Sequence, residues 1–182
     1  MLPNANLRRI LVISFHKYHC LLFAVVLFLL IPPAFGFEKK SSAIGAWNLK
    51  CKAKTDVSNE QCIANQLITT GKSEKQVLLG VMIGYSPEHS LPHIIFRMSS
   101  KANRDKGAAV KVDKFESFSI PISNCDKQIC EVRSFIPEGL LSQMRNGKLL
   151  KFAFILDNKP VTYPVSLEGF NKVYSILLAS LK

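Results

Sequence analysis

Cysteine is the residue type in this chain whose number and spacing point most directly to chemistry. Cys20 lies in an apolar stretch near the N-terminus, and the other four form two close pairs, Cys51 with Cys62 and Cys125 with Cys130. Structural zinc sites repeat pairs spaced by two to four residues, which only Cys125-x4-Cys130 approaches, and a redox pair is typically C-x-x-C, which is absent. In an oxidising compartment, these four thiols are expected to form two structural disulfides.

Four cysteines can pair in three ways. We favour Cys51–Cys62 and Cys125–Cys130, because each pair can join neighbouring strands or close one turn. A crossed pairing requires both segments to lie side by side in a sheet. Loops this short add roughly 2–3 kcal/mol each to the free energy of unfolding on the chain-entropy estimate.

The segment Glu88-His89-x3-His93 contains residue types that can bind a metal. Pro92 prevents the helix that would place both histidines on one face, and Pro87 marks the stretch as a loop between strands. We therefore expect two exposed loop histidines, with no metal and no cofactor. The sequence has no nucleophile elbow and no glycine loop for phosphate, so we predict that the protein is not an enzyme.

A basic segment, residues 101–114, is the candidate binding site. Only Asp105 and Asp113 oppose its five cations, which are Lys101, Arg104, Lys106, Lys111 and Lys114. The alternation of valine and charged residues at 110–113 predicts a strand preceded by a flexible loop. Such cations can engage acidic glycans or anionic lipid headgroups, and the lack of interleaved aromatic residues argues against nucleic acid. An ordinary solvated loop is the alternative.

The first 36 residues read as a secretory signal peptide. Arg8, Arg9 and Lys17 form a basic start, and the twelve residues Cys20–Ile31 carry no charge, which is shorter than a membrane-spanning helix requires. We place the cleavage after Gly36. An uncleaved N-terminal anchor is the alternative.

Cleavage would leave one domain, residues 37–182, long enough for its own core and without a transmembrane segment. Three of the chain's 24 Lys and Arg residues lie in the signal, which leaves 21 against 13 acidic residues and a net charge of +8. A basic exported protein is attracted to acidic surfaces.

Short segments with the two-residue period of a strand dominate this domain. They are residues 77–85, 118–122, 130–133 and 148–166, and residues 94–98 add a short, mostly apolar run that only Arg97 interrupts. Pro121 cannot donate to a ladder, so its strand is expected at a sheet edge. The last segment is a hairpin around Asp157-Asn158-Lys159-Pro160.

Two helices interrupt the strands. Pro137 and Gly147 delimit a short helix over about 137–146, and an apolar stripe at helical spacing predicts a C-terminal helix over about 167–181, capped by Ser166. We therefore expect an all-β or β-rich fold, a two-sheet antiparallel sandwich, with the C-terminal helix covering an open sheet edge or face.

An ordered set of motifs runs through the domain: Trp47-x3-Cys51, Cys62, Cys125-x4-Cys130, a helix that ends at Gly147, and Ser166-Leu167-x-Gly169-Phe170. This set resembles the invasion-associated locus B family of Gram-negative bacteria over essentially all of residues 37–182. One stretch differs, because Met98–Gly107 stands where the family has a turn rich in proline and glycine.

The resemblance implies a small β-rich protein, secreted or associated with the envelope, that is linked to host-cell invasion. It supplies no catalytic residues. It implies structural roles for the four cysteines, Trp47, Gly169 and Phe170, with Trp47 packed against the Cys51–Cys62 bridge.

Two functions follow from the resemblance and the composition. The first is a virulence-associated protein that binds an acidic host-surface glycan, an anionic lipid or an envelope protein. The alternative is a periplasmic structural or envelope-maintenance protein with an indirect effect on invasion. A hydrolase built from scattered acidic residues is a third and weaker hypothesis. The expected locations are the periplasm, the outer membrane surface or the medium.

Overall fold

A computed structural model describes residues 40–52, 61–71, 76–86 and 89–181. The predicted signal peptide and Cys20 lie outside these ranges. Within them, no helix combines the length and the apolar character needed to cross a membrane.

The described residues form eleven strands in two antiparallel sheets, which confirms the predicted sandwich. The larger sheet has the order β1-β2-β3-β4-β5-β9-β8, with β1 at Lys40–Ile44, β2 at Trp47–Lys52, β3 at Gln61–Thr69, β4 at Val77–Gly84, β5 at His93–Ser99, β8 at Asn124–Cys125 and β9 at Ile129–Phe135. The smaller sheet has the order β11-β10-β6-β7, with β6 at Ala108–Val112, β7 at Ser117–Ile120, β10 at Leu149–Leu156 and β11 at Lys159–Ser166.

The core lies between the sheets because the strands alternate buried and exposed residues. In β10, Leu150, Phe152 and Phe154 are buried while Lys151 is exposed. Phe96 of β5 stacks on Phe152 with ring centroids 4.1 Å apart, which joins the two sheets. The strand β7 lies at a sheet edge, as Pro121 predicted.

Two helices occur where the sequence predicted them, and the C-terminal one is shorter than predicted at both ends. The helix α1 spans Glu138–Asn146 and follows Pro137. The helix α2 spans Phe170–Ala179, which is shorter than the predicted 167–181. Ser166 still ends β11, and its Oγ accepts a hydrogen bond from the Glu168 backbone N–H at 3.2 Å instead of capping the helix.

Gly169 replaces Ser166 at the start of α2 because the chain turns sharply there. Its φ is +79°, in the left-handed region that favours glycine. A Cβ at Gly169 would lie 2.6 Å from the Ile44 carbonyl oxygen, and one at Gly45 would meet Glu168. Two glycines therefore let the β1–β2 turn and the start of α2 approach each other, and Ala46 N–H donates to the Glu168 carbonyl at 3.1 Å.

The helix α2 packs on the inner face of the larger sheet, against β1, β2 and β3. Phe170 and Trp47 meet there with ring centroids 5.5 Å apart, and both side chains are buried. Phe170 is thus an aromatic partner of Trp47, and the packing of Trp47 against the Cys51–Cys62 bridge stays a prediction.

Two disulfides join residues that face each other on neighbouring strands. Cys51 on β2 pairs with Cys62 on β3, and Cys125 on β8 pairs with Cys130 on β9, each with a Cα–Cα distance of 4.0 Å. This is the pairing that the spacing favoured.

Candidate functional site

The five basic residues predicted as a binding site divide into two groups. Lys101, Arg104 and Lys106 precede β6, and the latter two lie in a short 3-10 turn, residues 104–106. Two of these cations already have partners: the Lys101 ammonium lies 3.7 Å from the Asp157 carboxylate, and the Arg104 Nη2 donates to the Ser123 carbonyl at 3.4 Å. The predicted flexible loop is therefore a compact turn between the two sheets.

Lys111 and Lys114 lie at the other end of β6. The strand is central in the smaller sheet, so Val110 and Val112 point into the core and Lys111 points outward. Directly opposite Lys111 on β10 is Lys151, and both are exposed. Side chains in this position have Cβ atoms about 4.5–5.5 Å apart, at which like charges are destabilising.

Lys151 is a candidate site residue that sequence reasoning missed. Its exposure could be predicted, since it alternates with Leu150 and Phe152. Its position opposite Lys111 could not, because the pairing of β6 with β10 joins residues 40 positions apart in sequence. We call Lys111, Lys114 and Lys151 the lysine patch.

A shallow depression of about 640 Å³ adjoins the lysine patch and is lined by Asp113, Lys114, Phe115, Leu149 and Lys151. Phe115 is 51% exposed, which is unusual for a large apolar side chain. The depression therefore offers an apolar ring beside the ammonium groups of Lys114 and Lys151.

Asp113 is the acidic residue that lines this depression, and its carboxylate is already engaged. Its two oxygens accept hydrogen bonds from the backbone N–H groups of Lys148 at 2.9 Å and Leu149 at 3.0 Å. Among the described residues, no carboxylate forms an ion pair with a lysine of the patch. Three lysines against the carboxylate that lines the depression leave the patch with a net positive charge.

The two histidines come together in a way that the sequence did not predict. His89 is exposed, but His93 begins β5 and is half-buried, which corrects the expectation of two exposed loop histidines. Both rings pack on Phe135 of β9, with centroids 4.7 Å and 4.2 Å away. Burial, followed by the nearby His89 and Arg133, lowers the pKa of His93 below its usual range.

This histidine pair has no third ligand in the part of the chain that is described. Across those residues, no group of three or more His, Cys, Asp or Glu side chains is placed to hold a metal ion. Glu88, which completed the candidate cluster in the sequence, lies outside the described residues.

Comparison with known proteins identifies a family and a related fold. A family model described as "Invasion associated locus B (IalB) protein" matches residues 47–177. The crystal structure of invasion associated protein B from Bartonella henselae is similar, with a TM-score of 0.66 and 17% identity, over 77% of this chain and 95% of that one. No curated protein matches the sequence.

Proposed function

Because this chain belongs to the invasion associated locus B family, we propose that it is an exported protein that serves host-cell invasion by binding, without catalysing a reaction. Family membership supports the link to invasion. Two disulfides support an oxidising destination, such as the periplasm, the outer membrane surface or the medium. The predicted signal peptide over residues 1–36 supports the same route.

The observation that carries the binding role is the lysine patch. Lys111 and Lys151 are held opposite each other by the sheet register, although their mutual repulsion costs stability. The carboxylate of Asp113 offsets one of the three positive charges while it accepts hydrogen bonds from backbone N–H groups, so the patch keeps a net positive charge. An anionic ligand would relieve the repulsion, so the patch is suited to binding one.

We assign an acidic host-surface glycan as the partner of the patch. The outer face of the smaller sheet carries small side chains next to the lysines, including Ala109 opposite Ala153 and then Thr162. A polysaccharide chain can lie along such a surface, with its sulfates or carboxylates at the ammonium groups. The exposed ring of Phe115 offers a contact for the apolar face of a sugar.

Heparin binding by the purified exported protein tests this assignment. The double variant Lys111→Gln/Lys151→Gln should bind heparin at least about tenfold more weakly. Each hydrogen bond to a charged group is worth roughly 1.5–3 kcal/mol, and a tenfold change in the dissociation constant corresponds to about 1.4 kcal/mol. Isothermal titration calorimetry at fixed ionic strength measures the change.

A matched control removes the same charge elsewhere. Lys159→Gln/Lys172→Gln alters two lysines, at the start of β11 and on α2. This variant should bind heparin with an affinity close to that of the wild type. Equal losses in both double variants would mean that only the net charge of the domain matters. No heparin binding by the wild type would favour the envelope-maintenance alternative.

A further inference from the structure

The outer face of the larger sheet exposes an unusual number of apolar side chains. Seven large hydrophobic residues are exposed in the described part of the chain, and four of them lie on this face: Ile63 at 49%, Leu67 at 59%, Val77 at 51% and Phe135 at 39%. Met82 and Ile95, which face each other on β4 and β5, fill the space between them. We call these six residues the apolar sheet face.

Two glycines of β4 make this face flat. Gly84 lies opposite Ile63, and Gly80 lies opposite Leu67. A Cβ at either glycine would lie 3.6 Å from the side chain of its partner, so the two aliphatic side chains lean over the glycines. Ile63 and Leu67 are about 13 Å apart along β3, and β3 and β9 are about 14 Å apart across the sheet. The result is a broad, mostly apolar surface with two open depressions, one of about 350 Å³ beside Ile63 and one of about 550 Å³ beside Leu67.

Cations flank the apolar sheet face on both sides. Lys50 and Lys52 lie on β2, with Lys50 directly opposite Ile63. Arg97 and Arg133 lie on β5 and β9, with Arg133 opposite Ile95. The acid between the two arginines is Glu131, which accepts hydrogen bonds from both at 2.9 Å. Among the described residues of this face, one carboxylate stands against four cations, which gives this part of the surface a positive charge.

The charge decides which occupant fits the apolar sheet face. A second copy of the chain would bring four further cations against Lys50, Lys52, Arg97 and Arg133. An apolar centre with cations at its margin complements a surface whose interior is apolar and whose headgroups are negative.

We propose that the apolar sheet face docks onto the surface of an anionic phospholipid bilayer. Ile63, Leu67 and Phe135 enter the boundary between headgroups and acyl chains, while the flanking lysines and arginines contact phosphates. Phe135 and the two histidines packed on it form an aromatic corner at that boundary. This surface is separate from the lysine patch, so the proposal stands without the glycan assignment.

Co-sedimentation of the exported protein with lipid vesicles tests the proposal. The protein should bind vesicles of phosphatidylglycerol and phosphatidylcholine more strongly than vesicles of phosphatidylcholine alone. The variant Ile63→Ser/Leu67→Ser, which changes no charge, should reduce the partition coefficient by about tenfold or more, because two aliphatic side chains no longer leave water.

The control variant Leu178→Ser/Leu181→Ser removes two other exposed leucines, at the C-terminal end of the chain, and should bind like the wild type. Near-ultraviolet circular dichroism checks that both double variants are folded. Equal binding by the wild type and Ile63→Ser/Leu67→Ser would overturn the proposal, since charge alone would then explain the attraction. Failure of the wild type to bind the anionic vesicles would overturn it as well.

A fluorescence measurement supplies an independent readout. The chain has one tryptophan, Trp47, which is 1% exposed and gives a constant background. The emission of the variant Leu67→Trp should shift to shorter wavelength on adding anionic vesicles. An unshifted spectrum with the protein bound would place the contact elsewhere on the molecule and contradict the proposal. Lys111→Gln/Lys151→Gln should leave the vesicle binding intact, which separates this test from the heparin test.

Discussion

Gly169 shows how one residue sets the position of a helix. Its left-handed φ reverses the chain after β11, and its missing side chain lets the start of α2 lie against Ile44 and Gly45. Phe170 then enters the core beside Trp47. The position of the whole C-terminal helix therefore depends on a residue that no side chain can replace without strain.

The variant Gly169→Ala should lower the free energy of unfolding by about 2 kcal/mol or more, because a left-handed alanine is strained and its Cβ would meet a backbone oxygen. Thermal unfolding followed by circular dichroism measures the loss. The control Gly139→Ala lies in α1 with nothing within 4 Å, so it should be neutral or slightly stabilising. Equal melting temperatures for the two variants would contradict this account of Gly169.

Glu131 makes the stability of the domain depend on pH. Burial opposes its ionisation, but hydrogen bonds from Arg97 and Arg133 outweigh burial and lower the pKa of the carboxyl. A carboxylate with a lowered pKa contributes stability above its unfolded-state pKa, near 4.5, and this contribution is lost as the pH falls through the folded-state pKa.

The melting temperature should therefore fall on acidification below about pH 4.5, and Glu131→Gln should weaken that fall while being less stable near neutral pH. Melting curves recorded from neutral to strongly acidic pH show how the melting temperature changes with pH in the wild type and in the variant. Glu116→Gln, an exposed glutamate before β7, is the control and should follow the wild type. If Glu131→Gln leaves the change of melting temperature with pH unaltered, Glu131 is not the source of that pH dependence.

At the scale of elements, one buried side chain joins the two sheets. Gln66 of β3 is 9% exposed, and its amide makes two hydrogen bonds with the backbone of Ser166 on β11. Its Nε2 donates to the carbonyl oxygen, and its Oε1 accepts from the N–H, both at 3.0 Å. The pair imitates a rung of a β-ladder at the edge of β11 that does not face β10.

The variant Gln66→Leu should destabilise the domain by roughly 2–4 kcal/mol, because it leaves a backbone donor and a backbone acceptor without partners. Urea unfolding measures the loss as a lower midpoint. The control Gln61→Leu removes an exposed glutamine from the same strand and should change the midpoint little. Similar midpoints for both variants would mean that the hydrogen bonds between Gln66 and Ser166 contribute nothing to the free energy of unfolding.

The elements could be predicted from the sequence where the signal is local. Period-two alternation predicted β4, β7 and the β10–β11 hairpin, because the pattern of burial repeats within each strand, and a short apolar run indicated β5. The start of α2 was placed three residues early, since the turn that delays it depends on contact with Ile44. The apolar sheet face was missed, because the register of four strands creates it.

The candidate site, too, could be predicted only where it depends on residues that are close in sequence. Segment 101–114 was predicted as one basic site, but β6 separates Lys101, Arg104 and Lys106 from Lys111 and Lys114. Lys151 joins the latter two only through the pairing of β6 with β10. Residue types indicated the chemistry, whereas non-local pairing decided which cations lie together.

At the scale of the whole molecule, the sandwich has two outer faces with different chemistry. The smaller sheet presents the lysine patch, and the larger sheet presents the apolar sheet face with its flanking cations. A domain that rests on a bilayer through the larger sheet would turn the lysine patch away from it. The two proposals together describe a protein held at an envelope that offers cations to an acidic glycan.

Binding of the fluorescently labelled exported protein to cultured host cells tests the central claim most directly. The account predicts saturable binding that falls when heparin lyases remove the sulfated glycans. Binding of Lys111→Gln/Lys151→Gln should fall to a similar level, whereas binding of Lys159→Gln/Lys172→Gln should not. Binding that is insensitive both to the lyases and to the patch variant would contradict a glycan-binding role. The envelope-maintenance function would then be the better account.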